Sequence, residues 1–307
     1  MTNEQVHSMH LGDVEIIRVV EWHEPFLSTT DMFPTSSNEL WEAHQDWLAP
    51  DHWQPEDDRT VIALQSWVLR GSGQTVLIDT GAGRGRNRPD MGPFHQSESR
   101  LLELLTEAGV RPADVDVVVN THLHVDHVGW NTVDVNGEWA PSFPNATYLI
   151  PAADDFYYGP ANSYGNGQQV VDRLIYEDSI APIHAAGQSL LWEGTHRVND
   201  FLTLESAPGH TPGSSVARVA SGTDRAVFAG DLLHSPVQIL DPCCNTNACL
   251  APDQAESSRR RVLTRAAEEN ELLVPAHFGG AGALEVRRVN GGFSLGEWAP
   301  FSPHVKQ

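Results

Sequence analysis

The sequence predicts a mixed α+β fold. Three observations carry that prediction: strands of two kinds, several hairpins, and helices that do not follow every strand in regular alternation. Residues 115–120 (VDVVVN) form a short, unbroken apolar run, the pattern of a strand buried on both faces. Residues 61–81 (VIALQSWVLRGSGQTVLIDTG) read as a hairpin with its turn at Gly71–Gly73. Residues 257–270 (SSRRRVLTRAAEEN) have helical spacing with a serine cap.

The remaining elements follow in order. A first, β-branched strand is expected at 12–20 (GDVEIIRVV). Residues 23–60 then form an aromatic excursion, punctuated by Pro25, Pro34, Pro50 and Pro55 and carrying Trp41, Trp47 and Trp53. Within it SSNELWEAHQDWL predicts a capped helix starting near Ser37. Such an excursion suits a lid, a subunit contact in a homodimer, or a flap packed on the core. Residues 97–109 predict a helix with a serine N-cap and a glycine stop. A strand is expected at 147–150, and a helical stretch at 169–187 with a break or kink at Pro182. FLTLESAPGH, SVARVASG and DRAVFAGD read as strands, ELLVPAHF as a final buried strand, and a hairpin near Asn290–Gly292 closes the chain. There is no fixed-period repeat and no linker, so one domain spanning 1–307 is expected.

Composition narrows the function. The 307 residues are 40% hydrophobic, enough for a sizeable core. No run of about 18 apolar residues exists, so no membrane span is expected. The N-terminus lacks a basic region followed by an apolar one, so the expected compartment is the cytoplasm. A formal net charge of -22 repels phosphate backbones and anionic lipid. That leaves a small-molecule substrate as the expected partner, with no nucleic acid and no membrane. Cys243, Cys244 and Cys249 are odd in number, and C-C-x4-C is a poor zinc spacing; they read as loop thiols.

The chemistry is concentrated after the apolar run. Thr121-His122-Leu123-His124-Val125-Asp126-His127 sets four potential metal ligands within six residues. His122 and His124 are two apart, so an extended segment sends both to one face. Asp126 and His127 follow where the chain turns. Imidazole with carboxylate suits Zn²⁺, Mn²⁺, Fe²⁺ or Co²⁺ rather than Ca²⁺ or Mg²⁺. Three more candidates stand at strand ends beside glycines: His210 in APGHTPG, Asp231 in AGD and His277 in PAHFGG. His234, three residues after Asp231, is a candidate contact to substrate or leaving group. Asp79, in the loop DTGAG, is a candidate acceptor for a ligand histidine. Phe94, Trp130, Tyr157, Tyr158 and the tryptophans of 23–60 are candidates for an apolar pocket wall, with core packing as the alternative.

The T-H-x-H-x-D-H cluster, the later G-H-T-P-G, the A-G-D and the terminal A-H, in that order, resemble the metallo-β-lactamase superfamily over roughly residues 60–280. The resemblance implies a four-layer αββα sandwich with the site at one edge of two sheets. It implies two divalent cations, most simply Zn²⁺. His122, His124 and His210 would hold one, Asp126, His127 and His277 the other, and Asp231 would bridge them. Asp126 and Asp231 place the chain with the dinuclear hydrolases rather than with true β-lactamases, in which a cysteine commonly takes the bridging place. HLHVDHVGWN and GDLLHSPVQ look most like the branch with methyl parathion hydrolase and N-acyl homoserine lactonases. The chemistry implied is attack by a metal-shared hydroxide on a lactone or other carboxylic ester, with Asp126, Asp231 and His234 as catalytic candidates. A phosphotriester or aryl halide as electrophile, or an iron centre doing redox chemistry, are the alternatives. The stretch C-C-N-T-N-A-C at 243–249 has no counterpart in that resemblance. No room is expected for the appended domains of the RNA-processing and flavin-bearing branches.

Overall fold

The computed structural model describes residues 5–167 and 170–305. These form two compact units that interleave along the chain. The first comprises residues 1–21, 65–196 and 302–307, and the second residues 22–64 and 197–301.

The first unit is built on a sheet whose strands lie in the order Ser189–Trp192, Thr147–Pro151, Val117–Val119, Gln74–Ile78, Arg59–Gly71, Val14–Ser28, Val6–Leu11 and Ser302–Pro303. From Gln74–Ile78 to Ser189–Trp192 the strands run parallel. The others whose pairing residues lie in this unit are antiparallel. Val117, Val118 and Val119 are all buried, as an apolar strand with parallel neighbours on both sides must be. The hairpin expected at Gly71–Gly73 is present. Gly71 pairs with Gln74 across Ser72 and Gly73, both with positive φ (49° and 76°), the backbone of a type I′ turn. The strand expected first is in fact the second: Val6–Leu11 precedes it and pairs with it from Val6↔Val19 to Leu11↔Val14. Only Val6 and Leu11 of that segment are buried, too weak an apolar pattern to declare a strand; backbone pairing defines it.

Two capping expectations fail in informative ways. The helix within 97–109 runs Leu101–Glu107, begins after Arg100 without a side-chain cap, and stops at Gly109 in the left-handed region (φ 73°). Its serines are used elsewhere: the Ser97 hydroxyl accepts from Ser99 N, and Ser99 bonds Trp130 and Glu21. Of the stretch 169–187, Gln169 lies outside the described residues. Val170–Ile175 and Ala181–Ala185 are α-helical, and the disturbance expected of Pro182 appears as a wide π turn at Tyr176–Ile180.

The second unit carries a sheet ordered Thr195–Arg197, Leu202–Ser206, Ser215–Ser221, Asp224–Gly230, Leu272–Pro275, Leu284–Val289 and Gly292–Trp298. The chain passes from the first unit to the second within the edge strand Thr195–Arg197. Helix Pro252–Glu269 buries Ala255, Ser258, Arg259, Val262, Leu263 and Ala266, a stripe at helical spacing. It starts five residues before the expected serine because Pro252 occupies the first helical position, where its fixed φ costs no hydrogen bond. Ser257 and Ser258 instead donate to the Asp253 and Pro208 carbonyls.

The aromatic excursion is packed, not loose. Ser37 caps Asn38–Glu42 by accepting from Leu40 N, and a second short helix, Gln45–Leu48, follows, so the single helix expected there is two. Trp41 and Trp53 are buried with Met32, Phe33, Leu48, Ile62, Val237 and Cys244. Among the described residues no helix is long and apolar enough to cross a membrane.

One buried ion group in the first unit offers a stability test. Arg88 donates from both terminal nitrogens to Asp178 (2.7 and 2.7 Å), and Arg86 Nη1 lies 3.5 Å from the same carboxylate. Asp178→Ala would strand two buried guanidiniums and is expected to cost about 3–5 kcal/mol in urea unfolding, whereas Arg173→Ala, at an exposed pair, is expected to stay within about 0.5 kcal/mol. Similar small changes in both would refute the assignment of Asp178 as the counter-charge.

Candidate metal centre

In the first unit the ligand segment leaves the sheet at Val119 and bends at Thr121–His122. Asp79, one residue past the neighbouring strand Gln74–Ile78, organises that exit. Its carboxylate accepts from Thr121 N (2.8 Å), from Thr121 Oγ1 (2.8 Å) and from His127 Nδ1 (2.8 Å). Asp79 itself holds a left-handed backbone (φ 56°). The chain then returns as a turn: His127 N donates to His124 O, and Thr80 N donates to His127 O. The His122 and His124 rings lie 4.6 Å apart and those of His122 and His127 4.1 Å apart, while Asp126 Oδ1 is 3.7 Å from His127 Nε2. All four donors predicted in this segment therefore cluster.

Gly129 is needed here. A Cβ on it would lie 2.0 Å from the Ala82 carbonyl carbon, so only glycine lets the ligand turn close on the DTGAG loop. Arg86, buried, holds the same turn by donating to the Gly129 and Thr132 carbonyls (2.6 and 2.6 Å).

In the second unit His210, Asp231, His234 and His277 come together. Asp231 Oδ2 lies 3.2 Å from His210 Nε2 and 3.1 Å from His234 Nε2, and its Oδ1 lies 3.0 Å from His277 Nε2. Ligand atoms of Asp231, His234 and His277 all fall within 4.8 Å of one another. The loop that carries His210 sits on the N-terminal turn of helix Pro252–Glu269. A Cβ on Gly209 would meet Ala255 N at 2.1 Å, which explains the glycine.

The second nitrogen of each predicted ligand histidine has a protein partner. His122 Nδ1 meets Thr121 Oγ1 (3.1 Å), His127 Nδ1 meets Asp79, and His277 Nδ1 meets the Ala63 carbonyl (2.9 Å). His210 Nδ1 faces Cys249 Sγ at 3.6 Å, and His124 Nε2 faces the Tyr158 hydroxyl at 3.0 Å. Where Nδ1 donates outward, Nε2 keeps the lone pair; for His124 the roles reverse. This donor set, imidazoles whose second nitrogens have protein partners plus carboxylates, fits a divalent transition-metal cation.

Two histidines beside Asp231 shift in opposite directions. Burial opposes a charge on His210, yet its contacts with Asp231 and Cys249 outweigh burial and raise it to about 9. Burial lowers His234 to about 4 despite Asp231, so this imidazole is neutral at pH 7, and its Nδ1 is buried with no hydrogen-bond partner among the described residues. Tyr158 was a candidate wall residue; its hydroxyl orients His124 instead. Trp130 and Phe94 are buried, and Trp130 donates to Ser99 (2.6 Å). Tyr157 is half-buried against Tyr158. Sequence reasoning did not single out Ala63, Thr121, Arg86 or Glu21. Ala63 acts through its carbonyl, which no side-chain pattern encodes. A cavity of about 480 Å³ in the second unit is lined by His23, Pro25, Pro50, Asp51, Trp53 and Val61 among others. His23 and Asp51 pack directly on Gly279, two residues after His277.

Imidazoles with partnered second nitrogens beside carboxylates, at strand ends of an α+β protein, define a metal-binding class. The chain belongs to the metallo-β-lactamase superfamily: the model of that family matches residues 59–277, a span holding every predicted ligand. The human metallo-beta-lactamase domain-containing protein 1 is 31% identical over 215 residues, 68% of this chain and 64% of that protein. The Xenopus laevis protein of the same name is 28% identical over 207 residues, 66% of each. This chain thus spans just under two thirds of the length of the curated relatives it matches first. Among solved structures, the hydrolase AbOPH superposes with a TM-score of 0.79 at 21% identity, over 96% of this chain and 98% of that one. The dizinc quorum-quenching lactonase AidC, solved with a product, gives 0.77 at 20% identity, over 96% and 99%. The fold is that of the metallo-β-lactamases.

Glu21 offers a test of the electrostatics around the first donor cluster. Its Oε1 lies 1.8 Å from where a Cβ of Gly81 would be, and its other oxygen bonds Ser99. Burial, with smaller repulsions from Asp126 and Glu103, raises its pKa to about 8 despite the Ser99 bond. A raised acid pKa means the folded state holds the proton more tightly than the unfolded chain. Stability therefore falls as pH rises from the unfolded value near 4.5 to about 8, and levels above it. Metal-free Glu21→Gln is expected to lose that component of the decline. Parallel melting curves of both proteins from pH 5 to 9 check this, and curves of identical slope would contradict it.

Proposed function

We propose that this protein is a dinuclear metallo-hydrolase that opens a lactone or cleaves another small carboxylic ester. The observation that carries the reading is the set of five imidazoles, each with one nitrogen taken by a protein partner. On this reading His122, His124 and His210 would hold one cation, Asp126, His127 and His277 the other, and Asp231 both. Zinc suits these ligands best, and Mn²⁺, Co²⁺ or Fe²⁺ would be accepted. The similarity to a dizinc lactonase supports the choice of substrate class.

Bound metals would supply a water deprotonated near neutral pH and a Lewis acid for the ester carbonyl. The chain's own groups do the rest. Asp231 accepts the proton of the attacking water at a carboxylate oxygen and returns it to the leaving alkoxide. His234 Nε2–H donates to Asp231 Oδ2 and keeps that carboxylate oriented. Asp126 balances charge at the second cation. The cavity bordered by Trp53 and Val61 takes the apolar part of the substrate. One water is consumed, and a carboxylate, an alcohol and a proton are released.

Acid release over a panel of lactones, aryl esters and phosphotriesters, with Zn²⁺-, Mn²⁺- or Co²⁺-loaded protein, tests the proposal. Turnover is expected on lactones or esters. Turnover mainly on phosphotriesters would move the substrate class, and tightly bound iron without hydrolysis would favour redox chemistry. Asp126→Ala and Asp231→Ala are each expected to lower kcat by about 100-fold or more and to reduce the bound metal below two per chain. Full activity in either variant would sink the dinuclear reading.

A further inference from the structure

The stretch C-C-N-T-N-A-C is built more firmly than a surface loop requires. Buried Arg259 donates to the Leu232 carbonyl (2.7 Å), to the Pro242 carbonyl (2.6 Å) and to Asn245 Oδ1 (3.2 and 3.1 Å). Gln238 donates to the Cys244 carbonyl (2.7 Å). Downstream, Leu250 N donates to the His210 carbonyl and Ala251 N to the Gly209 carbonyl. Those bonds fix the register of 249–251 against 209–210 and place Cys249 Sγ 3.6 Å from His210 Nδ1. Thr246 Oγ1 lies 3.5 Å from the same sulfur.

We infer that Cys249 is the positioning residue for His210. Its sulfur accepts the Nδ1–H and so leaves Nε2 for the cation. The inference rests on the dinuclear reading above, because it needs His210 to be a ligand. Among the described residues the other four predicted ligand imidazoles face oxygen partners at 2.8–3.1 Å. His210 alone faces sulfur, a larger and weaker acceptor. A carboxylate there would add a full negative charge beside the ligand, which a sulfur acceptor does not. Arg259 is what makes the contact reproducible, since it ties the cysteine loop to Leu232, the neighbour of Asp231.

The test uses the full chain loaded with Co²⁺, comparing wild type with Cys249→Ala and Cys249→Ser. Metal content and chelator competition give the affinity of each ion, and the visible ligand-field spectrum reports the geometry at cobalt. Cys249→Ala is expected to weaken one of the two ions by about 10-fold or more, to leave the other unchanged, and to shift the spectrum. Cys249→Ser keeps an acceptor and is expected to retain more of that affinity. Cys243→Ala, at the exposed thiol, is expected to match wild type. Unchanged binding in Cys249→Ala, or equal loss of both ions, would overturn the inference, and so would equal loss in the alanine and serine variants. Wild type that binds fewer than two ions would instead overturn the dinuclear reading, so the two failures are separable. Melting curves of the metal-free variants confirm that each is folded, and the serine variant carries the test if alanine is not.

Discussion

An imidazole can give one nitrogen to a cation only if the proton on its other nitrogen has somewhere to go. Much of the local structure around the histidines answers that requirement. Asp79 answers it for His127 and, with the same carboxylate, pins the Thr121 backbone and hydroxyl. The contact depends on two strands ending side by side: Val76–Ile78 pair in parallel with Val117–Val119, and Asp79 N then donates to the Val119 carbonyl. The parallel ladder thus sets where the ligand turn begins, the carboxylate sets how it turns, and Gly129 with Arg86 sets how closely it returns. In the second unit a backbone carbonyl, Ala63, does for His277 what Asp79 does for His127. The reciprocal bond from Ala63 N to the His277 carbonyl locks the pair.

This explains which parts of the site were legible in the sequence. The candidate donors His122, His124, Asp126, His127, His210, Asp231 and His277 are side chains with one chemistry each, at the ends of apolar runs, so spacing and residue type single them out. Asp79 was legible for the same reason. Tyr158 was noticed for the wrong property, its ring, because only tertiary placement sets its hydroxyl on His124. Ala63 was illegible, since the acting group is a carbonyl. The fold divides in the same way. The buried strand 117–119 and the hairpin at Ser72–Gly73 follow from local pattern. The strand Val6–Leu11 does not, because its neighbours' backbones define it. The serine caps expected for the helices near 97 and 257 failed because Ser99 and Ser258 have tertiary partners, while Ser97 and Ser257 bond locally to Ser99 N and the Asp253 carbonyl.

The charge distribution connects the fold to the proposed reaction. Of 19 cationic residues only Lys306 is a lysine, so the rest are arginines. Arg18, Arg86, Arg88, Arg218 and Arg259 are buried. A guanidinium's forked donors suit carbonyl clusters such as Gly129 with Thr132, or Leu232 with Pro242, better than an ammonium does. Arg86 and Arg259 hold loops together from inside, Arg18 and Arg218 bond side chains of neighbouring strands, and the rest of the chain carries the carboxylate excess behind the net charge of -22.

Such a field has opposite consequences for the two ends of an ester hydrolysis. A neutral lactone approaches without electrostatic penalty, whereas an anionic substrate would be repelled before reaching any cation. Close to the donors, two dications against the Asp126 and Asp231 carboxylates would leave a net positive charge, which favours an oxyanion over a neutral carbonyl and so lowers the barrier rather than merely tightening binding. Once the ring has opened, the product carries a carboxylate. The local attraction then competes with a surrounding field that draws the anion outward, easing release. Neutral entry, local stabilisation of negative charge and anionic exit fit a lactone or neutral ester better than a substrate that is already a phosphate anion. Screening by salt weakens the long-range part and spares the local part.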